Sequence, residues 1–401
     1  MSRLRDVDPI LLSAVLALLA IGVAMVYSAG AIYAADVRGD EMFYIRRHAV
    51  FACLGLTAMA VTAAIPYQNW RPWTYPLLLL VGVLLVLVLV PRVGVTMGGA
   101  TRWLRVAGIH FQPSELAKLS LVLYLAYSLE KKQSHIGTFA IGILPHLLFS
   151  GLILALILVE PDFGSTMTLA AILFIMMFVA GVKLRHLAAL LAVGLPASWL
   201  VLMGAEYRRA RLVAFMDPWA HKADSGFQLI QSWLALRAGG LFGTGMGESS
   251  QKLFYLPAAH TDFILSVIGE EFGLLGVLGV LALFAVFVVR GVRICLGAPD
   301  LFGRLLGIGL SVLVGLQATI NMAVVTGLLP TKGLTLPLIS YGGSSLVLTL
   351  AMIGILLNVT GQTRRRTVLD DVPRNPFRIP SGLGRPRAGA VPDAPVPVGG
   401  S

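Results

Sequence analysis

Three carboxylates and three cations, set in an otherwise apolar chain, are the residues equipped for chemistry. Asp262 closes the segment Ala259-His260-Thr261-Asp262 at the end of a 58-residue stretch, 205–262, that interrupts the apolar pattern. A carboxylate there, next to a basic loop, suits a general base that takes a proton from a hydroxyl. It equally suits the N-cap of the span that follows. His260 beside it is a candidate for substrate contact. Glu115 and Lys118 follow Pro113-Ser114 and stand three residues apart, so they share a helix face. They read either as an intrahelical ion pair or as a charged pair facing a polar cavity, because ionisable groups within spans mark function. Asp162, after Glu160-Pro161, reads as a helix cap or as an orienting carboxylate. Arg102 and Lys332 lie where the topology rule disfavours cations, and an anion explains them; Lys332 suits a phosphate as a point charge. Ser344 is the penultimate residue of the Gly-, Pro- and hydroxyl-rich stretch 327–345, which lipid would not tolerate unless it packs on protein or lines a cavity.

The elements that must hold these residues are membrane spans. Hydrophobic residues are 57% of the 401 and charged residues 13%, about half the charge of an ordinary soluble domain. Ten apolar segments are near the bilayer-crossing length: roughly 10–34, 47–65, 73–91, 113–130, 137–159, 163–181, 185–204, 263–290, 304–328 and 338–360. The fold expected is all-α and polytopic, with about ten transmembrane helices and a large extracytoplasmic loop between the seventh and eighth. The net charge of +11 would point to nucleic acid in a soluble protein. Here Lys and Arg flank spans, favour both termini on the cytoplasmic side, and no nucleic-acid partner is expected. Cys53 falls in an apolar run and Cys295 in a basic stretch, so no disulfide framework is indicated.

Within the large loop, Ser225-Gly226-Phe227-Gln228 reads as a capping box, and Phe227, Ile230, Trp233 and Leu234 as the apolar face of an interfacial helix. The run Gly239 to Gly247 lacks the Gly-Lys-Ser/Thr ending of a phosphate loop and reads as a flexible turn. Glu270 and Glu271 lie two turns into the eighth span and need partners. No zinc-ligand spacing, nucleophile elbow or dinucleotide fingerprint occurs. Asp36, Asp40 and Glu41 admit a polyprenyl-phosphate-sugar transferase of another fold, but a solvated acidic loop is simpler. Residues 1–366 form one transmembrane domain. Residues 367–401 are rich in Pro, Gly and Arg and read as a disordered cytoplasmic tail.

Several ordered motifs give the chain a resemblance: Gly99-Ala100-Thr101-Arg102-Trp103, Pro113 to Lys118, Glu160 to Gly164, the segment Gln251 to Asp262, and the loop Pro330 to Ser345. With them it resembles the SEDS family, named for shape, elongation, division and sporulation, over residues 8–366. Lys332 within Thr331-Lys332-Gly333-Leu334-Thr335-Leu336-Pro337 resembles the division branch more than the elongation branch. Ala258 departs from it, where division members often carry Glu.

The resemblance implies a peptidoglycan glycosyltransferase in the bacterial cytoplasmic membrane, at the division septum. It implies lipid II as substrate, a class B penicillin-binding transpeptidase as partner, and other divisome membrane proteins nearby. On it, Asp262 is the base, and Arg102, Lys118 and Lys332 stabilise the departing lipid pyrophosphate. Glu115, Asp162, His260 and Ser344 contact or orient substrate. The resemblance leaves room for a divalent cation, Mg or Mn, with Asp262, Glu115 and Asp162 as candidate ligands, and for no organic cofactor. An elongation-type polymerase, a lipid II flippase and a catalytically silent scaffold are the rival readings. Transporters often carry internal repeats around a midplane site, and none is seen.

Overall fold

The computed structural model describes residues 7–97, 99–106, 108–249 and 259–371. Among these, ten helices fall on the ten predicted spans: α1 (Pro9–Arg38), α2 (Phe43–Ala64), α3 (Thr74–Leu89), α4 (Pro113–Lys131), α5 (Leu144–Val159), α6 (Phe163–Val179), α7 (Leu184–Met203), α10 (Ile264–Leu296), α11 (Leu301–Val325) and α12 (Gly343–Asp371). The long loop contributes α8 (Glu206–Met216) and α9 (Phe227–Gly239). Seven helices are long and apolar enough by themselves to cross a membrane. α3 and α6 are apolar but shorter, and α4 carries Glu115 and Lys118.

Local signals set the helix ends. Asp8 caps α1 by accepting from Leu11 N–H at 2.9 Å, with Pro9 in the first turn. Asp300 caps α11 through Gly303 N–H at 2.9 Å. α12 runs to Asp371, past the boundary drawn at 367. Nothing in Thr367 to Asp371 forbids a helix, and Pro373 is the first residue that does. The rest of the tail, 372–401, lies outside the described residues. Cys295 is buried within α10, not in a loop, and both cysteines are free.

The helical class needs one addition. Between α3 and α4, β1 (Gly94–Met97), β2 (Ala100–Val106) and β3 (Ile109–Phe111) form an antiparallel sheet in the order β1-β2-β3. Gly99 and Gly108 turn the chain at φ 78° and 81°, and β2 carries Arg102.

The helices differ in length. α1 has 30 residues and α10 has 33, whereas α3 has 16 and α6 has 17. At 1.5 Å per residue α1 and α3 differ by about 21 Å. At the inner face, Arg71 clasps Glu130 at 2.8 Å and Asp300 at 2.7 Å, and Arg290 pairs with Asp8 at 3.0 Å. Gly343, at the start of α12, abuts the Phe51 ring in α2, eight residues and about 12 Å below Phe43.

The long loop is packed, not free. α9 begins at Phe227 after Gly226, without a side-chain cap, and the Ser225 hydroxyl donates instead to the Ala210 carbonyl at 3.4 Å. A Cβ at Gly226 would stand 2.4 Å from the Pro218 carbonyl, so the chain passes too close there for the expected capping box. Nor is α9 an interfacial helix. Its Ser232 hydroxyl donates to the Val325 carbonyl and lies 2.7 Å from Ser266 Oγ, which buries α9 against α10 and α11. The glycine run that follows is stitched to a break in α10 at Gly273, where φ is 67°. Thr244 N–H donates to Glu270 C=O at 2.9 Å, and Leu274 N–H to Gly240 C=O at 2.9 Å. The glutamates find hydroxyls: Ser28 donates to Glu271 at 2.5 Å and Ser249 to Glu270.

Candidate functional site

A polar network lies among the apolar helices. Lys118 is fully buried and donates to Glu115 at 2.7 Å and to the Gln317 side-chain oxygen at 3.1 Å. The Ser345 hydroxyl donates to the other Glu115 oxygen at 3.0 Å. Gln317 donates in turn to the Thr335 carbonyl at 3.3 Å. α4, α11, α12 and the loop before α12 thus converge on one ion pair. Ser344 belongs here and accepts from Gln112 N–H at 3.3 Å. The Gln112 side chain reaches Asp162 at 3.3 Å and links this network to the next group of charges.

Asp162 caps α6, accepting from Ser165 N–H at 3.0 Å and from its hydroxyl at 2.7 Å. Its cap role and its place beside the site coexist. Arg102 reaches from β2 and donates to the Glu160 and Pro161 carbonyls, which locks the turn that presents Asp162. Glu160 is fully buried, and neither carboxylate oxygen has a hydrogen-bond partner among the described residues. Burial, then the nearby Asp162, push its pKa up to about 8 against the pull of Arg102.

Asp262 does not cap α10. The N-cap is Phe263, and no side chain supplies a cap bond. Asn321 instead bridges the Asp262 carbonyl at 2.8 Å and the Leu334 carbonyl at 2.6 Å. That tie fixes the Asp262 backbone, and its carboxylate lies over Gly333, where a Cβ would stand 3.4 Å from Oδ2. Burial raises its pKa to about 6; Arg211 and Arg102 oppose the rise and Asp162 adds to it. The carboxylate therefore sits among two guanidiniums and a second acid.

α8 completes the wall. Arg211 reaches the Thr331 carbonyl at 3.4 Å, and Tyr207 donates to the Pro161 carbonyl at 3.2 Å. The Lys332 ammonium and the Arg208 guanidinium both lie on the Phe163 ring, 5.3 Å and 5.8 Å from its centroid. Burial lowers the Lys332 pKa. None of Arg102, Arg208, Arg211 and Lys332 has a carboxylate within ion-pair distance among the described residues. Four such cations around one turn form a receptor for a polyanion.

Not every sequence candidate joins this group. The His260 ring packs against Tyr44, 4.5 Å between centroids. Glu115, Asp162 and Asp262 do not converge as a metal shell; no three His, Cys, Asp or Glu side chains do among the described residues. Residues 250–258, with most of the Gln251-to-Asp262 motif and the Ala258 departure, lie outside the described residues. Sequence reasoning missed Arg208 and Arg211, whose i, i+3 spacing in the loop was the available signal, and Gln317 and Asn321, polar residues four apart inside an apolar span.

The comparisons agree on one relationship. The profile of the family that groups FtsW, RodA and SpoVE, described as cell cycle proteins, matches residues 9–365. A probable peptidoglycan glycosyltransferase FtsW from Geobacter sp. (strain M18) is 47% identical, over 91% of this chain and 99% of its own. The stage V sporulation protein E of Bacillus subtilis (strain 168) is 42% identical, over 89% and 98%. Among solved structures, a chain from a work entitled "Structural coordination of polymerization and crosslinking by a peptidoglycan synthase complex" is 31% identical, with TM-score 0.73 over 89% of this chain and 98% of that one. The rod shape determining protein RodA of Thermus thermophilus is 32% identical, with TM-score 0.66 over 88% and 96%.

Proposed function

The chain belongs to the FtsW, RodA and SpoVE family of cell cycle proteins, and from that premise we propose how it polymerises glycan. The protein is a multi-pass membrane peptidoglycan glycosyltransferase of the division kind, making septal peptidoglycan. The substrate is lipid II, a disaccharide-pentapeptide on undecaprenyl pyrophosphate. The observation that carries the mechanism is a largely buried carboxylate, Asp262, beside Arg102 and Arg211 and unengaged by capping.

Asp262 takes the proton of the acceptor sugar's 4-hydroxyl. The freed oxygen pair attacks the donor's anomeric carbon from the face opposite its phosphate. The carbon–oxygen bond to pyrophosphate breaks, its electron pair leaves on the phosphate, and the configuration inverts. The leaving group is already anionic, so it needs cations more than an acid. Arg102, Arg211 and Lys332, held by carbonyls and an aromatic ring rather than by carboxylates, supply them. Lys118 stays paired with Glu115, and Asp162 orients the Arg102 side.

The chain works with a class B penicillin-binding transpeptidase in the cytoplasmic membrane, at the septum with other divisome membrane proteins. Similarity to a chain from a peptidoglycan synthase complex supports this pairing. The test is purified protein with labelled lipid II and the cognate transpeptidase. Polymer is expected from wild type and none from Asp262→Ala. No polymer from wild type, where a related synthase is active, overturns the reading. Translocation of lipid II in vesicles, unchanged by Asp262→Ala, favours a flippase instead.

A further inference from the structure

A second cluster gathers around His260, two residues before Asp262, and among the described residues none of its ring contacts involves Arg102, Arg208, Arg211 or Lys332. The His260 ring lies 4.5 Å from Tyr44, 5.8 Å from Tyr33 and 5.9 Å from Tyr341, centroid to centroid. The three tyrosines come from α2, α1 and the loop before α12. Interfacial tyrosines usually anchor a helix in the headgroup region. These instead gather around a histidine two residues from the proposed base, and Tyr33 keeps 38% of its surface exposed. The backbone holds the cluster in place: Tyr341 N–H donates to the His260 carbonyl at 2.9 Å, and the Ser340 hydroxyl to the Thr261 carbonyl at 2.6 Å. Burial pushes the His260 pKa down to about 4, so the ring is neutral at pH 7 and offers an aromatic face rather than a charge.

Two cations stand at the tip above it. Arg38 and Arg47 lie on the Phe43 ring, 5.2 Å and 5.1 Å from its centroid. Three acids are close in sequence, yet only Asp40 pairs, with Arg46 at 3.1 Å. Arg38 and Arg47 have no ion pair among the described residues. Aromatic faces next to exposed guanidiniums that lack a carboxylate partner among the described residues fit a ligand with pyranose rings, whose C–H faces stack on aromatics, and with carboxylates.

The reaction requires two saccharides at once, and their chemistry sorts them. The donor's pyrophosphate sits on the reacting carbon, so it belongs with the cations around Asp262 and α8. The acceptor's pyrophosphate is two sugar rings from its reacting hydroxyl. Its body must therefore extend away from those cations. Resting on the glycosyltransferase reading above, we propose that Tyr33, Tyr44, His260 and Tyr341 form the shelf on which the acceptor saccharide stacks, with Arg38 and Arg47 holding the carboxylates of its peptide stem.

The test measures binding of a lipid-free disaccharide-pentapeptide to the full-length protein in detergent micelles, beside polymerisation of lipid II. The fragment binds wild type, and Asp262→Ala, which stops polymerisation, binds it equally well. Tyr44→Leu combined with Tyr33→Leu weakens binding by about tenfold, whereas Tyr44→Phe, which keeps the ring, does not. Arg38→Gln with Arg47→Gln, at exposed positions that leave the fold intact, removes the preference for a free-carboxylate stem over an amidated one. The proposal is overturned if both the leucine and glutamine variants bind as wild type does. It is also overturned if wild type polymerises lipid II but binds no fragment, or if Lys332→Ala abolishes binding and the shelf variants do not. A wild type that makes no polymer defeats the glycosyltransferase reading instead, so the two failures are distinct.

Discussion

The Lys118 ammonium lies 2.7 Å from the Glu115 carboxylate, and the lysine is wholly shut off from solvent. Breaking a buried pair strands one charge and costs roughly 3–5 kcal/mol. Glu115→Gln and Lys118→Met are each expected to lower the melting temperature in detergent sharply. The double variant, which leaves no charge at either site, should recover much of that stability. It should not recover polymerisation, which needs the charged pair. A double variant that polymerises at the wild-type rate would reduce the pair to a structural role.

Asp262 titrates near pH 6, above its ordinary value of 3.8. Only the carboxylate accepts a proton, so polymerisation should rise with pH along a limb centred near 6. Stability runs the other way. The raised folded-state pKa means that the folded protein holds the proton longer than the unfolded chain. Stability therefore falls as pH rises from about 4 to 6, by at most about 3 kcal/mol. Asp262→Asn removes that charge. It should abolish polymer while melting higher than wild type at pH 7, and a lower melting point there would contradict the burial argument.

Glu160 is buried without a side-chain partner among the described residues, and its pKa stands at about 8. At neutral pH it is mostly an uncharged acid, which glutamine imitates. Glu160→Gln is expected to keep polymerisation within about twofold. Wild type should lose stability as pH rises from about 4.5 to 8 and level off above that, and the glutamine variant should lack this loss. Melting curves from about pH 4.5 to 9 decide between them.

Much of this site was legible in the sequence because its parts are punctuation in an apolar text. Glu115, Lys118, Asp162 and Asp262 stand out where ionisable residues are costly, and the ten spans follow from apolar length. What stayed hidden depends on three-dimensional approach. The sheet around Arg102 has strands of three to seven residues in a glycine-rich connection, too short for a periodic signal. The capping reading of Asp262 failed because α10 starts two residues later and Asn321, 59 residues away, takes the local carbonyl. The glycine run after α9 looked flexible because its partner, the broken turn at Gly273, is an inter-segment contact no local pattern reports.

Arg211 and Lys332 should separate by pH profile. Both are cations of the outer wall, and losing either should raise the KM for lipid II, as loss of a phosphate contact does. Only Arg211 also acts on Asp262, where it leads the influences that hold its pKa down; Lys332 is not among them. Arg211→Gln is therefore expected to move the acidic limb of the kcat profile upward from pH 6, while Lys332→Gln leaves it in place. Transition-state charge stabilisation by one such group is worth on the order of 10²-fold in rate. At pH 7 the arginine variant carries an added loss, because more of its Asp262 is protonated, and raising the pH to 8 should restore that part. A lysine variant with the shifted limb, or an arginine variant without it, would show that Asp262 is tuned from elsewhere in the wall.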